Sequence, residues 1–209
     1  MSFSCRNIET HVMPERPSPI SSPPALPYIY PLDDFYAVAG IPLPKFERIG
    51  GEEVPEPYRS LLVHQNDMTP TLEKFHDANI HLRILSRGQR GDFYFRQVAL
   101  HLDRSEKPVE FGANKVSLLL FPPKARQLIL EEHLPLGRIL KECDIGHRTQ
   151  AKAFFKVEPD GFIRGILGVD GPATLYGRRA TIFDTQNRPL SEIVEILPPA
   201  DQKKTTSKE

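Results

Sequence analysis

The chain has no tryptophan, and its 209 residues include only two cysteines, Cys5 and Cys143. Two thiols cannot build a disulfide scaffold or a cysteine-rich zinc module. Net charge is also missing: 27 Lys and Arg balance 27 Asp and Glu. A dedicated nucleic-acid binder shows a basic excess, so no nucleic-acid partner is expected, although a local basic pocket remains compatible with this balance. No apolar run approaches the roughly 20 residues that span a bilayer. The longest candidate, Val116–Phe121, has the length of one strand. The start of the chain lacks the continuous apolar stretch of a secretory signal, so no membrane partner is expected and a reducing cytoplasm is the default location.

Proline is in excess, with 21 residues, and 11 of them precede residue 61. Proline fixes φ and removes a backbone donor, so this stretch cannot form long regular helices or interior strands. Residues 1–27, rich in Pro and Ser, read as a disordered or extended leader. A single domain is expected over 28–199, followed by a polar tail at 200–209. Within the proline-rich stretch, Leu32–Ala39 forms a helix in this reading, because Leu32, Phe35, Tyr36 and Ala39 share one face.

The rest of the chain alternates like strands in several places. Ile80–Ile84, Phe93–Asp103 and Val109–Leu120 are three candidates, the last one broken at Gly112. The polar turn Arg104–Lys107 joins the second and third as a hairpin. Thr69-Pro70 reads as a helix start with Thr69 as cap. Pro122-Pro123 opens a helix running to about Glu132, and a second short helix begins near Pro135. Ala151–Val157, Phe162–Val169 and Thr174–Phe183 read as strands, and Leu190–Leu197 closes the chain after the turn Asp184–Arg188. Strands and helices come in runs without βαβ alternation, which predicts an α+β fold: one antiparallel sheet of about six strands with short helices.

The missing motifs narrow the chemistry. There is no G-x-S-x-G elbow, no Walker loop and no G-x-G-x-x-G after a strand. The seven histidines form no tight metal pair. His64 and His76 read as helix-end and surface residues, and Cys143 as a small buried apolar residue. No cofactor and no metal is expected. The positive features are charges in apolar company. Arg96 shares a strand face with Tyr94, Val98, Leu100 and Leu102, which is costly unless an internal carboxylate or an anionic ligand pairs it. Glu195 sits between Ile193 and Leu197, and Glu110 beside Val109 and Phe111. A desolvated carboxyl of this kind keeps its proton and suits hydrogen-bond donation. Arg178 and Arg179 fall on opposite strand faces, so at most one points inward. Leu136 and Gly137 begin a helix, where unsatisfied N–H groups collect.

Four blocks occur together: Leu61–Glu73, Tyr94-Phe95-Arg96-Gln97-Val98, Pro135-Leu136-Gly137-Arg138, and Leu175–Arg179 followed by Glu192–Pro198. In this order they resemble the chorismate lyase family, over about residues 32–199, and more specifically its divergent branch. The same fold serves as the ligand-binding domain of some bacterial repressors. The resemblance implies cleavage of chorismate into 4-hydroxybenzoate and pyruvate without metal or cofactor. It implies that Arg96 holds the ring carboxylate, that backbone N–H groups at Met68 and Leu136 assist, and that Gly112 lines the cavity. It also implies that Glu195 meets the hydroxyl end, with Glu192 as the runner-up because the preceding turn is one residue longer here. The carboxylate of the leaving pyruvate needs a cation, which Arg178 or Arg179 would supply. Residues 1–60 cannot hold the three helices of a DNA-binding module, because prolines interrupt every long enough window. The second reading is a non-catalytic binder of an aromatic acid on the same fold. Monomer and homodimer both stay open.

Overall fold

Seven strands form one antiparallel sheet in the computed structural model, which describes residues 28–200. The proline-rich leader expected at 1–27, and all of the expected tail but residue 200, lie outside the described residues. The strands are β1 Lys45–Ile49, β2 Ile80–Arg90, β3 Phe93–Leu102, β4 Pro108–Ser117, β5 His147–Glu158, β6 Leu175–Asp184 and β7 Pro189–Leu197. Their spatial order is β1-β5-β6-β7-β4-β3-β2. Hairpins join β2 to β3, β3 to β4 and β6 to β7, while the central β4–β7 pairing brings together segments distant in sequence. Six helices complete the fold: α1 Leu32–Ala39, α2 Tyr58–Leu62, α3 Met68–His76, α4 Pro123–Glu131, α5 Leu136–Glu142 and α6 Gly161–Leu167.

The α+β class with a single antiparallel sheet agrees with the sequence reading, and four details differ. Phe162–Val169 is a helix followed by a turn. Its ends were written in the sequence: the Asp160 carboxylate accepts from the Ile163 N–H as N-cap, and Gly168 takes φ 63° at the C-terminal end. The β-branched and aromatic content of the segment, Phe162, Ile163, Ile166 and Val169, hid these signals. A further strand, β1, follows Pro42 and Pro44 and pairs only with β5, an edge position that prolines tolerate. Gly112 does not break β4, which runs unbroken to Ser117 before a short 3₁₀ turn at Leu118–Leu120. Helix α3 starts at Met68 with Asp67 in the capping position, so Thr69 lies one residue inside it.

Both faces of the sheet are covered. On one face Phe111, Ala113, Phe155, Val194 and Ile196 pack against Leu32 and Tyr36 of α1 and Ile163 and Leu167 of α6. The opposite face carries two clusters. Val116, Ile182 and Ile193 meet α4 and α5 through Ala125, Ile129, Ile139 and Leu140. Ile80, Leu100 and Val109 meet α2 and α3 through Leu61, Leu62, Met68 and Leu72. Between these two clusters the side chains on the sheet turn polar. The half-buried Cys143 packs at the margin of the α4–α5 cluster.

Gly177 on β6 marks the tightest approach. A Cβ there would lie 2.4 Å from the Glu195 carbonyl oxygen and 2.5 Å from the Phe155 ring. Backbone cannot yield to that contact without moving β7. Gly177→Ala is therefore expected to destabilise the protein by about 2 kcal/mol, a fall in melting temperature of roughly 4–8 °C; an unchanged melting curve would contradict this packing.

Candidate functional site

The polar patch arises from strand register. Alternation puts Arg96 of β3, Glu110, Gly112 and Asn114 of β4, Ile193 and Glu195 of β7, and Arg178 of β6 on one face. Across the ladders Arg96 stands opposite Asn114, and Gly112 opposite Glu195, which in turn stands opposite Arg178. The four ionisable groups are removed from solvent: Arg96 is 1% exposed, Arg178 0%, Glu110 4% and Glu195 4%. They border a small cavity of about 40 Å³. Val98, Leu100, Ile182 and Ile193 form its apolar walls, and Met68, Thr69, Pro135, Leu136 and Gly137 roof it from the starts of α3 and α5.

Arg178 is fully committed to the protein. Its Nε donates to Glu195 Oε2 at 2.5 Å. Its Nη1 reaches the Leu62 and His64 carbonyls and His64 Nδ1, and its Nη2 donates to the Asn66 carbonyl at 3.1 Å. His64 therefore accepts through Nδ1, while its Nε2 lies 2.7 Å from the Leu61 carbonyl. Burial first, and the Arg178 charge second, lower the His64 pKa. The sequence reading of His64 as a surface residue is corrected by these contacts: it orients the arginine that holds the loop before α3. The expectation that Arg178 or Arg179 serves a ligand carboxylate also changes. Arg179 lies on the other face, bonded to the Tyr30 carbonyl and to Glu192, so neither it nor Glu192 borders the cavity.

Arg96 is the opposite case. Its Nε and Nη1 have no hydrogen-bond partner among the described residues. Burial lowers its pKa to about 10, with the Tyr94 and Glu132 side acting in the other direction. Glu110 is a second orphan: its Oε2 has no partner among the described residues. Burial first, then the neighbouring Glu195 charge, push its pKa well above the ordinary carboxyl range, against the influence of Arg178. Both influences favour the protonated carboxyl. Glu195, which the sequence suggested, with Glu110, as a desolvated carboxyl, is instead the ion-pair partner of Arg178. Gly112 leaves the space between: a Cβ there would meet Glu110 Oε1 and the Val194 carbonyl, both at 3.1 Å.

The roof is tied down at two points. Arg138 of α5 bonds Glu73 of α3, beside the approach of Gly137 to Thr69. Asp67, just before α3, accepts from Thr149 through Oδ1 and meets His147 Nε2 at 2.8 Å through Oδ2, which fastens α3 to β5. Sequence reading missed this pair, because no spacing links residues 67 and 147. Among the described residues, no group of three or more His, Cys, Asp or Glu is placed to hold a metal, and no helix is long and apolar enough to cross a membrane.

The sequence matches no protein-family model and no curated protein. Solved structures do resemble it. PhnF from Mycobacterium smegmatis aligns with 80% of this chain and 93% of its own, at 10% identity and TM-score 0.52. The effector domain of the same protein aligns with 63% of this chain and 88% of its own, at 12% identity and TM-score 0.51. A GntR-family transcriptional regulator from Bacillus cereus covers 57% of this chain and 92% of its own, at 11% identity and TM-score 0.40. The likeness is one of fold.

Two outcomes follow from the charges. Removing Glu195 leaves the buried Arg178 uncompensated, so Glu195→Leu is expected to cost about 3–5 kcal/mol. Arg96→Met removes a buried charge that has no ion-pair partner among the described residues, and is expected to raise the melting temperature of the ligand-free protein. Denaturant titration of both variants checks this; equal shifts in one direction would contradict the contrast. The roof latch has its own pH signature. Hydrogen bonding to Asp67 raises the His147 pKa above its ordinary 6.5. For Asp67 burial alone acts upward, but bonds from His147 and Thr149 outweigh it and leave the carboxyl below 3.8. The His147 contribution is thus full below pH 6.5, lost as pH rises through the raised folded value, and weakened again where Asp67 is protonated. The stability advantage of wild type over His147→Gln should fall as pH rises above 6.5 and then level off, as read by thermal melts across pH.

Proposed function

We propose that the protein cleaves chorismate to 4-hydroxybenzoate and pyruvate in the cavity beneath α3 and α5. One observation carries this reading: Arg96, buried among Val98, Leu100, Ile182 and Ile193, keeps two guanidinium donors free of any protein partner among the described residues. A planar cation in an apolar wall matches a carboxylate on an apolar ring. The four sequence blocks that resemble the chorismate lyase family supply the substrate class, and one of the similar structures is an effector domain, which supports a ligand-binding use of the fold.

In this reading Arg96 anchors the ring carboxylate, and backbone N–H groups at Met68 and Leu136 add donors at the roof. Glu195, oriented by Arg178, faces the hydroxyl end, and Gly112 clears the space beside it. The ether C–O bond breaks, enolpyruvate departs and becomes pyruvate by taking up a proton, and the ring loses a proton and aromatises. Much of the driving force lies in that aromatisation, so the protein's task is to position the ring and stabilise charge. A cavity of about 40 Å³ holds only a few water-sized volumes. Entry of an aromatic acid therefore requires α3 and α5 to part, straining the Arg138–Glu73 and Asp67–His147 ties.

A second reading, binding of an aromatic monocarboxylate without cleavage, is favoured by Arg178. Its donors are spent on Glu195, His64 and three backbone carbonyls, which leaves the enolpyruvyl carboxylate without a dedicated cation. Incubation with chorismate and chromatographic identification of products separates the two. Cleavage predicts equal yields of 4-hydroxybenzoate and pyruvate without added metal, and a loss of at least about 100-fold in kcat/KM for Arg96→Ala. Intact chorismate, together with a thermal shift by 4-hydroxybenzoate, would replace cleavage with binding.

A further inference from the structure

Glu110 plays no part in the reading above, and its surroundings give it one. It is the third residue of β4, is almost wholly buried and borders the same cavity as Arg96. Its Oε2 has no partner among the described residues. The cation on that side, Arg178, bonds Glu195 and the loop before α3 and gives no hydrogen bond to Glu110. The missing side chain at Gly112 gives the carboxyl its position, since a Cβ there would press on Glu110 Oε1 and on the Val194 carbonyl. Desolvation and the adjacent Glu195 favour its protonated form. In that form Glu110 presents a donor to the cavity from an oxygen that meets no partner among the described residues.

Register fixes how far it stands from the anchor. Arg96 pairs with Asn114, and Glu110 lies four residues further along β4. Strand rise and spacing then put the two Cα atoms roughly 14 Å apart. Two long side chains across that span bracket the length of one substituted six-membered ring, which fits between them once α3 and α5 part. At the Arg96 end the ligand must be an anion. At the other end the neighbours are a neutral carboxyl and the internally compensated Arg178–Glu195 pair, so the ligand atom there is uncharged.

We propose that Glu110 is a specificity-determining residue, donating a hydrogen bond to an uncharged oxygen at the end of the ligand opposite the carboxylate bound by Arg96. The ligand class is a monocyclic carboxylate bearing a hydroxyl or ether oxygen across the ring. This rests on the reading of the cavity as a carboxylate site, which cleavage and simple binding share.

Calorimetric titration of the full chain with 4-hydroxybenzoate and 4-aminobenzoate tests it. Both probes carry the carboxylate and a para donor, but only the hydroxyl oxygen is a good acceptor. Wild type is expected to bind 4-hydroxybenzoate about tenfold more tightly, as one net hydrogen bond gives. Glu110→Gln keeps a donor and should retain most of that preference. Glu110→Leu should bring the two affinities within about twofold while leaving that for 4-aminobenzoate unchanged. A preference that survives in Glu110→Leu, or is absent in wild type, overturns the assignment and leaves the Arg96 anchor standing. Loss of the preference in Glu110→Gln overturns it however Glu110→Leu folds. If wild type binds neither probe, the carboxylate-site reading falls with it.

Discussion

The buried contact between Arg178 and Glu195 organises everything above the sheet. Two charges at this depth are tolerable only if every donor finds an acceptor. The guanidinium achieves this by gathering groups from two places: a carboxylate on β7, its cross-strand partner, and three carbonyls plus a ring nitrogen from residues 62–66. Those residues lead directly into Asp67 and α3. The loop is therefore held by the demand of one arginine for acceptors, and α3 is set over the cavity as a consequence. Asp67 and His147 then fix the same point from the β5 side. With Gly177 admitting β7 to within contact of β6, the pair can form at all.

Set beside this pair, the two orphans take on meaning. Arg96 and Glu110 occupy the same face of the same sheet at similar depth, yet the fold supplies neither with partners among the described residues. A chain able to saturate Arg178 so thoroughly meets a comparable demand at Arg96 with apolar walls. Burying an unpaired guanidinium costs stability, and a carboxylate bound there would recover that cost. The difference between structural and functional charge here lies in whether the acceptors belong to the protein.

Much of this was legible in the residues. Arg96 among Tyr94, Val98 and Leu100 is a charge out of place in any strand reading, and the buried guanidinium is where that pattern put it. The opposite facing of Arg178 and Arg179 follows from alternation alone. The partners were not equally legible: Glu195 faces Arg178 across the β6–β7 hairpin, a pairing the strand reading already implied, whereas His64 reaches Arg178 from 114 residues away in sequence. Glu195 read, with Glu110, as a desolvated carboxyl when it is Arg178's counter-ion, and His64 as a surface residue when it accepts from the same arginine. The helix at Gly161–Leu167 was hidden for a different reason: its β-branched and aromatic residues suit a strand, although Phe162, Ile163, Ile166 and Leu167 recur at helical spacing between the Asp160 cap and Gly168. Strand β1 was too short, and too close to prolines, to announce itself.

The charge balance of the cavity constrains the ligand more tightly than its shape does. Arg178 and Glu195 cancel, Glu110 is neutral while it keeps its proton, and Asp67 is answered by His147 when that ring is charged. What remains is the single positive charge of Arg96. A monoanion neutralises it, whereas a dianion brings one negative charge too many unless a cation is released from its present partners. Chorismate, a dianion, would have to draw Arg178 partly away from the loop before α3. The cost of that rearrangement would be met at the roof, where the loop, Asp67 and α3 move together. Substrate entry and recognition of the second carboxylate would then be one event: the arginine that holds the cavity closed is the arginine that the leaving group needs.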